Sequence, residues 1–252
     1  MATYVLVGGA WIGGWVWAGV AARLRDGGHH VHPVTLTGLG ERVHLGQPEV
    51  DLDTHITDVV NVLGYEDVHE VVLVGHSYAG IVVEGAADRC RDRVGTVVYV
   101  DSAPMGDGVA SIDFSPPDAR ARLEAVVREH GDGWRLPFPG IDQLGRNASL
   151  AGLDDDMLAL LADRATPQPF ATYTQPLTLS GDEITYDRRA IVCSDGGFSV
   201  AQIEAALASD DPGMFAVYGG PGWAFDELHT GHWPMLSAPA ALADLLATYG
   251  GG

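Results

Sequence analysis

Val71-Val72-Leu73-Val74-Gly75-His76-Ser77-Tyr78-Ala79-Gly80 is the stretch that decides the fold. Its four leading apolar residues form the short continuous run of a strand buried on both faces. A helix is predicted immediately after Ser77. A serine on a strand–turn–helix junction, flanked by small residues, has the form of a nucleophile elbow. The turn is tight, so the positions two residues either side of the serine must be small. Gly75 meets that need fully. Ala79 departs from strict G-x-S-x-G, though its methyl is small and Gly80 follows. At such an elbow the helix N-terminus aims backbone N–H groups at developing negative charge. Ser77 is therefore the candidate nucleophile. His76 adjoins it, but neighbours at a sharp elbow point apart, so His76 is expected to pack under the turn.

Outward from this junction, strands and helices alternate. Tyr4 to Val7 reads as a strand, Trp15 to Asp26 as a helix ended by Gly27-Gly28, and His29 to Leu36 as a strand. Thr54 to Leu63 reads as a helix and Val97 to Val100 as a strand. The rhythm breaks after Pro104. Residues 105–185 show helices (Asp118 to Glu129, Asp154 to Ala165) and proline-bearing loops without a convincing buried strand. Strand Ala190 to Cys193, helix Val200 to Ala208, strand Trp223 to Leu228 and helix Ala240 to Tyr249 then restore the alternation. The implied fold class is α/β: a mostly parallel, doubly wound sheet built from 1–104 and 186–252. Residues 105–185 are expected to form a helical lid inserted over the C-terminal edge of the sheet, where ligands bind.

Serine needs a base. Behind an elbow of this kind the chain order is serine, acid, histidine. Of ten histidines, only His229 and His232 fall after the last predicted strand. His232, following a flexible Gly231, suits a ring that swings over Ser77. His229 and His232 have H-x-x-H spacing, but no third ligand cluster accompanies them, so no metal is expected. Asp195, just after the strand Ala190 to Cys193, is the leading acid. Asp101, at the end of the preceding core strand, is its main rival, while Asp226 sits too near the last strand. The oxyanion donors are expected to be the backbone N–H groups of Tyr78 and of Ala10, in the loop Gly8 to Gly14. That loop lacks G-x-G-x-x-G spacing, so no dinucleotide and no other cofactor is expected.

These residues make the sequence resemble the α/β-hydrolase branch of plant-type methylesterases, hydroxynitrile lyases and related bacterial esterases. The matching stretches run from end to end: Val5-Leu6-Val7-Gly8-Gly9-Ala10-Trp11 with Gly14-Trp15-Val16-Trp17, Leu36 to Arg42, Gly75 to Gly80, Pro167-Gln168-Pro169-Phe170, and Leu228 to His232. The family usually has histidine at Gly8 and often another at Ile12. Its lyases resemble one another in a lysine just after the catalytic histidine, where this chain has Trp233. The resemblance therefore implies an esterase ahead of a cyanohydrin lyase.

Composition narrows the chemistry further. The 14 basic residues are all arginine, so no lysine Schiff base or lysine general base exists. A formal charge of −20 opposes nucleic acid and anionic membrane surfaces as partners. No apolar run approaches the ~20 residues of a membrane helix, and the N-terminus reads as a strand and lacks a signal peptide, so a cytoplasmic location is expected. Cys90 and Cys193 are expected to be buried free thiols, with a disulfide as the alternative. The leading expectation is hydrolysis of a small, hydrophobic or aromatic ester or lactone, with Trp11, Ile12, Phe170, Tyr173 and Trp233 about the substrate. A lyase or cyclase using the same Ser77–His232 pair, and a non-catalytic ligand receptor, are the alternatives. The oligomeric state is left open, a homodimer included.

Overall fold

The structure is a computed structural model and describes residues 1–250. Chain order gives β1 Thr3–Val7, α1 Ala18–Asp26, β2 His30–Val34, α2 Leu52–Tyr65, β3 Val71–His76, α3 Ala79–Arg89 and β4 Val94–Val100. Next come α4 Pro117–His130, β5 Arg135–Leu136, α5 Ile141–Asn147, α6 Asp155–Arg164, β6 Gln168–Pro169 and α7 Ala171–Thr174. The chain finishes with β7 Asp187–Cys193, α8 Val200–Leu207, β8 Trp223–Leu228, α9 Pro234–Ser237 and α10 Pro239–Tyr249.

Six strands form one parallel sheet in the order β2-β1-β3-β4-β7-β8. Each strand splits its apolar residues between two cores, because successive side chains point to opposite faces. Val5, Val7 and Leu73 join Leu52, Ile56, Val59 and Leu63 of α2 and Ile81 and Val83 of α3 on one side. Tyr4, Leu6, Val72 and Val74 join Val20 and Leu24 of α1 and Leu242 and Leu246 of α10 on the other. Burying one such aliphatic side chain is worth about 1.5–3 kcal/mol. This double use explains why β3 reads as an unbroken apolar run.

Local signals fix the helix starts. Asp51 caps α2 in a reciprocal capping box with Thr54, and Ser199 does the same for α8 with Gln202. Residues 105–185 differ from the sequence expectation in one respect: β5 and β6 pair as a short antiparallel ribbon among the helices. Two residues per strand are too few for a pattern to register. Cys90 and Cys193 are both buried free thiols. No helix among the described residues is long and apolar enough to cross a membrane.

The sheet order reverses at β1, which pairs with β2 on one side and β3 on the other. Such a reversal opens a crevice at the C-terminal strand ends. Gly9 and Ser77 lie on its two banks.

Candidate active site

Parallel register sets the site. Val7 pairs with Gly75, and His76 pairs with Val100. The next residues on neighbouring strands, Ser77 after β3 and Asp101 after β4, are consequently level with each other. Both adopt positive φ, 53° at Ser77 and 43° at Asp101, as does Trp11 after β1 at 64°. A non-glycine residue held there costs about 1–3 kcal/mol, which the surroundings must offset. At Ser77 they do so with hydrogen bonds: its N–H donates to the Val100 carbonyl (3.2 Å), while its carbonyl accepts from Gly80 N–H (3.0 Å) and the Ser102 hydroxyl (2.5 Å). Gly75 is required by close approach, since a Cβ there would stand 2.7 Å from the Ala79 carbonyl oxygen. Ala79 fits because its methyl is fully buried in the core.

His232 is held from both ends. Its Nδ1 lies 2.5 Å from Asp101 Oδ2, and its backbone N–H donates to the Ser149 carbonyl at 2.9 Å. His76, buried beneath, bonds through Nε2 to the His232 carbonyl (2.7 Å). That bond makes Nε2 a donor, so His76 is a prop for the His232 backbone. Burial, with the adjacent His232, pushes the His76 imidazole down to about 3. Gly231 also acts differently from the flexible link expected of it. A Cβ there would lie 2.6 Å from the Ser149 carbonyl oxygen, so the glycine admits the 149–151 segment against the histidine loop.

The acid is a correction to the sequence reading. Asp195 is exposed in the turn after β7, and its backbone N–H donates to the Thr230 carbonyl. The carboxylate beside His232 belongs to Asp101, one strand closer to Ser77. Its N–H donates to the Ile191 carbonyl (2.8 Å), and its Oδ1 accepts from Cys193 N–H (3.2 Å). Its backbone turns at the end of β4, so the side chain reaches across the end of β7. Burial alone would raise the Asp101 pKa, but the hydrogen bond and charge of His232 and the Cys193 N–H together hold it below the usual carboxylate range.

The loop expected to supply an oxyanion donor comes close to Ser77 at Gly9. A Cβ on Gly9 would stand 3.0 Å from Ser77 Cβ, so only glycine lets this loop approach so near. Among the described residues, neither Ala10 nor Tyr78 uses its backbone N–H in a hydrogen bond. The loop is pinned by Gln168, whose Oε1 accepts from Trp11 N–H (3.1 Å) and whose Nε2 donates to Thr172 Oγ1 (2.8 Å). Thr166 N–H donates to the Trp11 carbonyl. Tyr78 itself points inward, its hydroxyl 2.9 Å from His55 Nδ1, with His55 Nε2 against the Thr37 carbonyl (2.8 Å).

Two cavities open at the site. The smaller, about 250 Å³, is lined by Ser77, Tyr78 and Tyr173; the larger, about 550 Å³, by His232 and an apolar wall. Of the aromatic and apolar residues expected about the substrate, Tyr173 lines the smaller cavity and stacks on Tyr78 at 5.3 Å. Trp11 is half-buried, with its indole N–H donating to the Leu136 carbonyl, and Phe170 is half-buried beside α7. Ile12 and Trp233 are instead buried in the core, packed with Trp17 and Met235. Ile12 departs from the expectation because the loop turns at Trp11 and brings it against Gly8, and Trp233 because it stands at the start of α9, whose Met235 joins the same core.

The sequence reading gave no role to Ser102 or Gln168. Gln168 carried a usable signal: an amide between two prolines, within a stretch that matches the family.

The sheet order, the elbow after β3 and the histidine after β8 define a hydrolase scaffold. A family profile described as "Alpha/beta hydrolase family" matches residues 4–245, and the chain belongs to that family. The sequence is 34% identical over 263 residues to a carbendazim hydrolyzing esterase of Nocardioides sp. (strain SG-4G), covering 99% of this chain and 100% of that one. It is also 34% identical over 262 residues to methylesterase 7 of Arabidopsis thaliana, covering 96% and 94% respectively. An extracellular alpha/beta-hydrolase from a Paenibacillus species shares the fold, with a TM-score of 0.78 at 21% identity and full coverage of both chains. Similarity to these esterases supports ester hydrolysis in general.

Proposed function

We propose that the protein hydrolyses small, neutral, hydrophobic or aromatic carboxylic esters through an acyl-Ser77 intermediate, with His232 as base and Asp101 as the acid that orients it. The observation that carries this reading is the 2.5 Å contact between His232 Nδ1 and Asp101 Oδ2. It leaves His232 Nε2 to take the proton from Ser77 as the hydroxyl oxygen attacks the ester carbonyl. The N–H groups of Ala10 and Tyr78 receive the oxyanion. Collapse breaks the ester C–O bond, and His232 returns the proton to the leaving alcohol. Water, deprotonated by His232, then cleaves the acyl-serine and releases the acid. Each oxyanion donor contributes about 10²–10³ in rate.

Residues 105–185 act as the cap in this reading. Support comes from the clamps that Ser149, Ala151, Thr166 and Gln168 place on the histidine and oxyanion loops.

The test is a panel of methyl and aryl esters with a fluorophosphonate label, run on the wild type and Ser77→Ala. Loss of both labelling and turnover in Ser77→Ala is expected. Turnover that persists in Ser77→Ala would exclude the acyl-serine route and favour a lyase or cyclase.

A further inference from the structure

An ester has two halves, and serine hydrolysis treats them differently. The carbonyl half becomes attached to the serine, while the alcohol half departs carrying a proton from the histidine. The two cavities are divided in the same way. Ser77 lines only the smaller, and His232 only the larger. They share Asp101, Ser102, Ala103, Met105 and Phe114 as a common wall. At about 550 Å³ the larger cavity falls within the range that holds a drug-sized ligand, about 300–1,000 Å³, and the smaller at about 250 Å³ falls below it.

The larger cavity also has a distinct chemistry. Ile203, Met214, Phe215 and Tyr218 supply an apolar surface between α8 and the end of β7. Asp101 and His232 line it and bond to each other, and burial raises the pKa of the Cys193 thiol that also lines it, so that group stays neutral. The Tyr218 hydroxyl donates to the Ser102 carbonyl at 2.8 Å, and burial pushes its pKa up to about 12, so it stays neutral. At the rim, Phe114, Phe198 and Met214 remain 57%, 46% and 68% exposed. Large apolar side chains gathered around one opening favour an apolar ligand.

We propose that this larger cavity is the leaving-group site, so that the preferred substrate joins a compact acyl group to a bulky, neutral, apolar or aromatic alcohol of about two-ring size. The inference rests on the esterase reading above and adds the direction in which the ester lies. The alcohol oxygen points to His232 and its carbon skeleton lies along Met214, Phe215 and Ile203. The predominantly apolar wall would bind it with little discrimination between ring types, and the short acyl group would remain beside Tyr78 and Tyr173.

A pair of isomeric esters tests the direction: naphthylmethyl acetate, with its bulk on the alcohol, and methyl naphthylacetate, with its bulk on the acid. The wild type is expected to favour the first by at least about 10-fold in kcat/KM, the scale on which pocket fit discriminates. Ala216→Trp, at an exposed position on the cavity wall, is expected to shrink that ratio by about 10-fold; Met214→Trp is the second variant should the first fold poorly. Naphthalenemethanol binding, measured by calorimetry on Ser77→Ala with and without Ala216→Trp, gives a readout independent of turnover and should weaken by a similar factor. A preference for methyl naphthylacetate, an unchanged ratio in both filled variants, or alcohol binding insensitive to filling would overturn the proposal. If neither isomer is hydrolysed, the esterase reading fails, and alcohol binding still decides whether the cavity takes this ligand.

Discussion

Replacing Asp101 by Asn removes one negative charge and leaves the outline of the side chain intact. The carboxylate receives two N–H groups, Cys193 N–H at 3.2 Å on Oδ1 and His232 Nδ1 at 2.5 Å on Oδ2. An amide has one acceptor oxygen for the two. If it keeps the Cys193 bond, its NH₂ group faces His232 Nδ1, which must then present a lone pair. The imidazole proton moves to Nε2, the nitrogen that should accept from Ser77. The wrong tautomer costs about 10⁴ in kcat, or roughly 5 kcal/mol of barrier. Asp195→Asn alters an exposed turn and should change stability by less than about 0.5 kcal/mol, with rates within about twofold. The assay is steady-state ester hydrolysis by both variants, with fluorophosphonate labelling of Ser77 and thermal melts to verify folding. Loss of about 10²-fold or more in Asp195→Asn, with Asp101→Asn keeping over about a tenth of wild-type activity, would refute the assignment.

Gln168→Met removes the acceptor for Trp11 N–H and the donor to Thr172, so stability should fall by about 1–3 kcal/mol. If Gln168 positions the oxyanion loop, kcat should fall about 10-fold with a smaller change in KM; a melt shift with unaltered kcat would make it merely structural. Tyr78→Phe orphans His55 Nδ1 and should also cost about 1–3 kcal/mol. Activity should survive if, as proposed, residue 78 serves the oxyanion through its backbone N–H; inactivity in a folded variant would contradict that. Burial pushes His55 down to about 4 and His76 to about 3. The unfolded chain, with histidines titrating near about 6.5, therefore binds protons first. Their contribution to stability is complete above about pH 6.5 and is lost as pH falls through about 4 and then about 3, with His55 alone worth about 3 kcal/mol. Urea midpoints that stay flat from about pH 7 to 4 would rule out two neutral buried histidines.

Much of this molecule could be read from local sequence. The apolar run Val71 to Val74 could satisfy its pattern only between two cores, and Gly75 before Ser77 required a tight turn, so the strand, the elbow and the alternating scaffold were fixed within a few residues of each other. His232 followed from lying after the last strand. The choice between Asp195 and Asp101 could not follow in this way, because both stand directly after buried strands and either can meet a histidine loop. What separates them is register. His76 pairs with Val100, which brings Asp101 level with Ser77, and the backbone turn at Asp101 sends its carboxylate across the end of β7. The aromatic residues had the same ambiguity, since a tryptophan next to the catalytic loop suits a pocket wall or a core equally well, and only packing put Trp233 inside. Sequence alone determined the scaffold, the nucleophile's setting and the histidine, whose signals span adjacent residues. Tertiary structure decided which carboxylate faces His232, which loop Gln168 pins and how the cavity divides, because each depends on which distant strands and loops meet, and no local pattern encodes that.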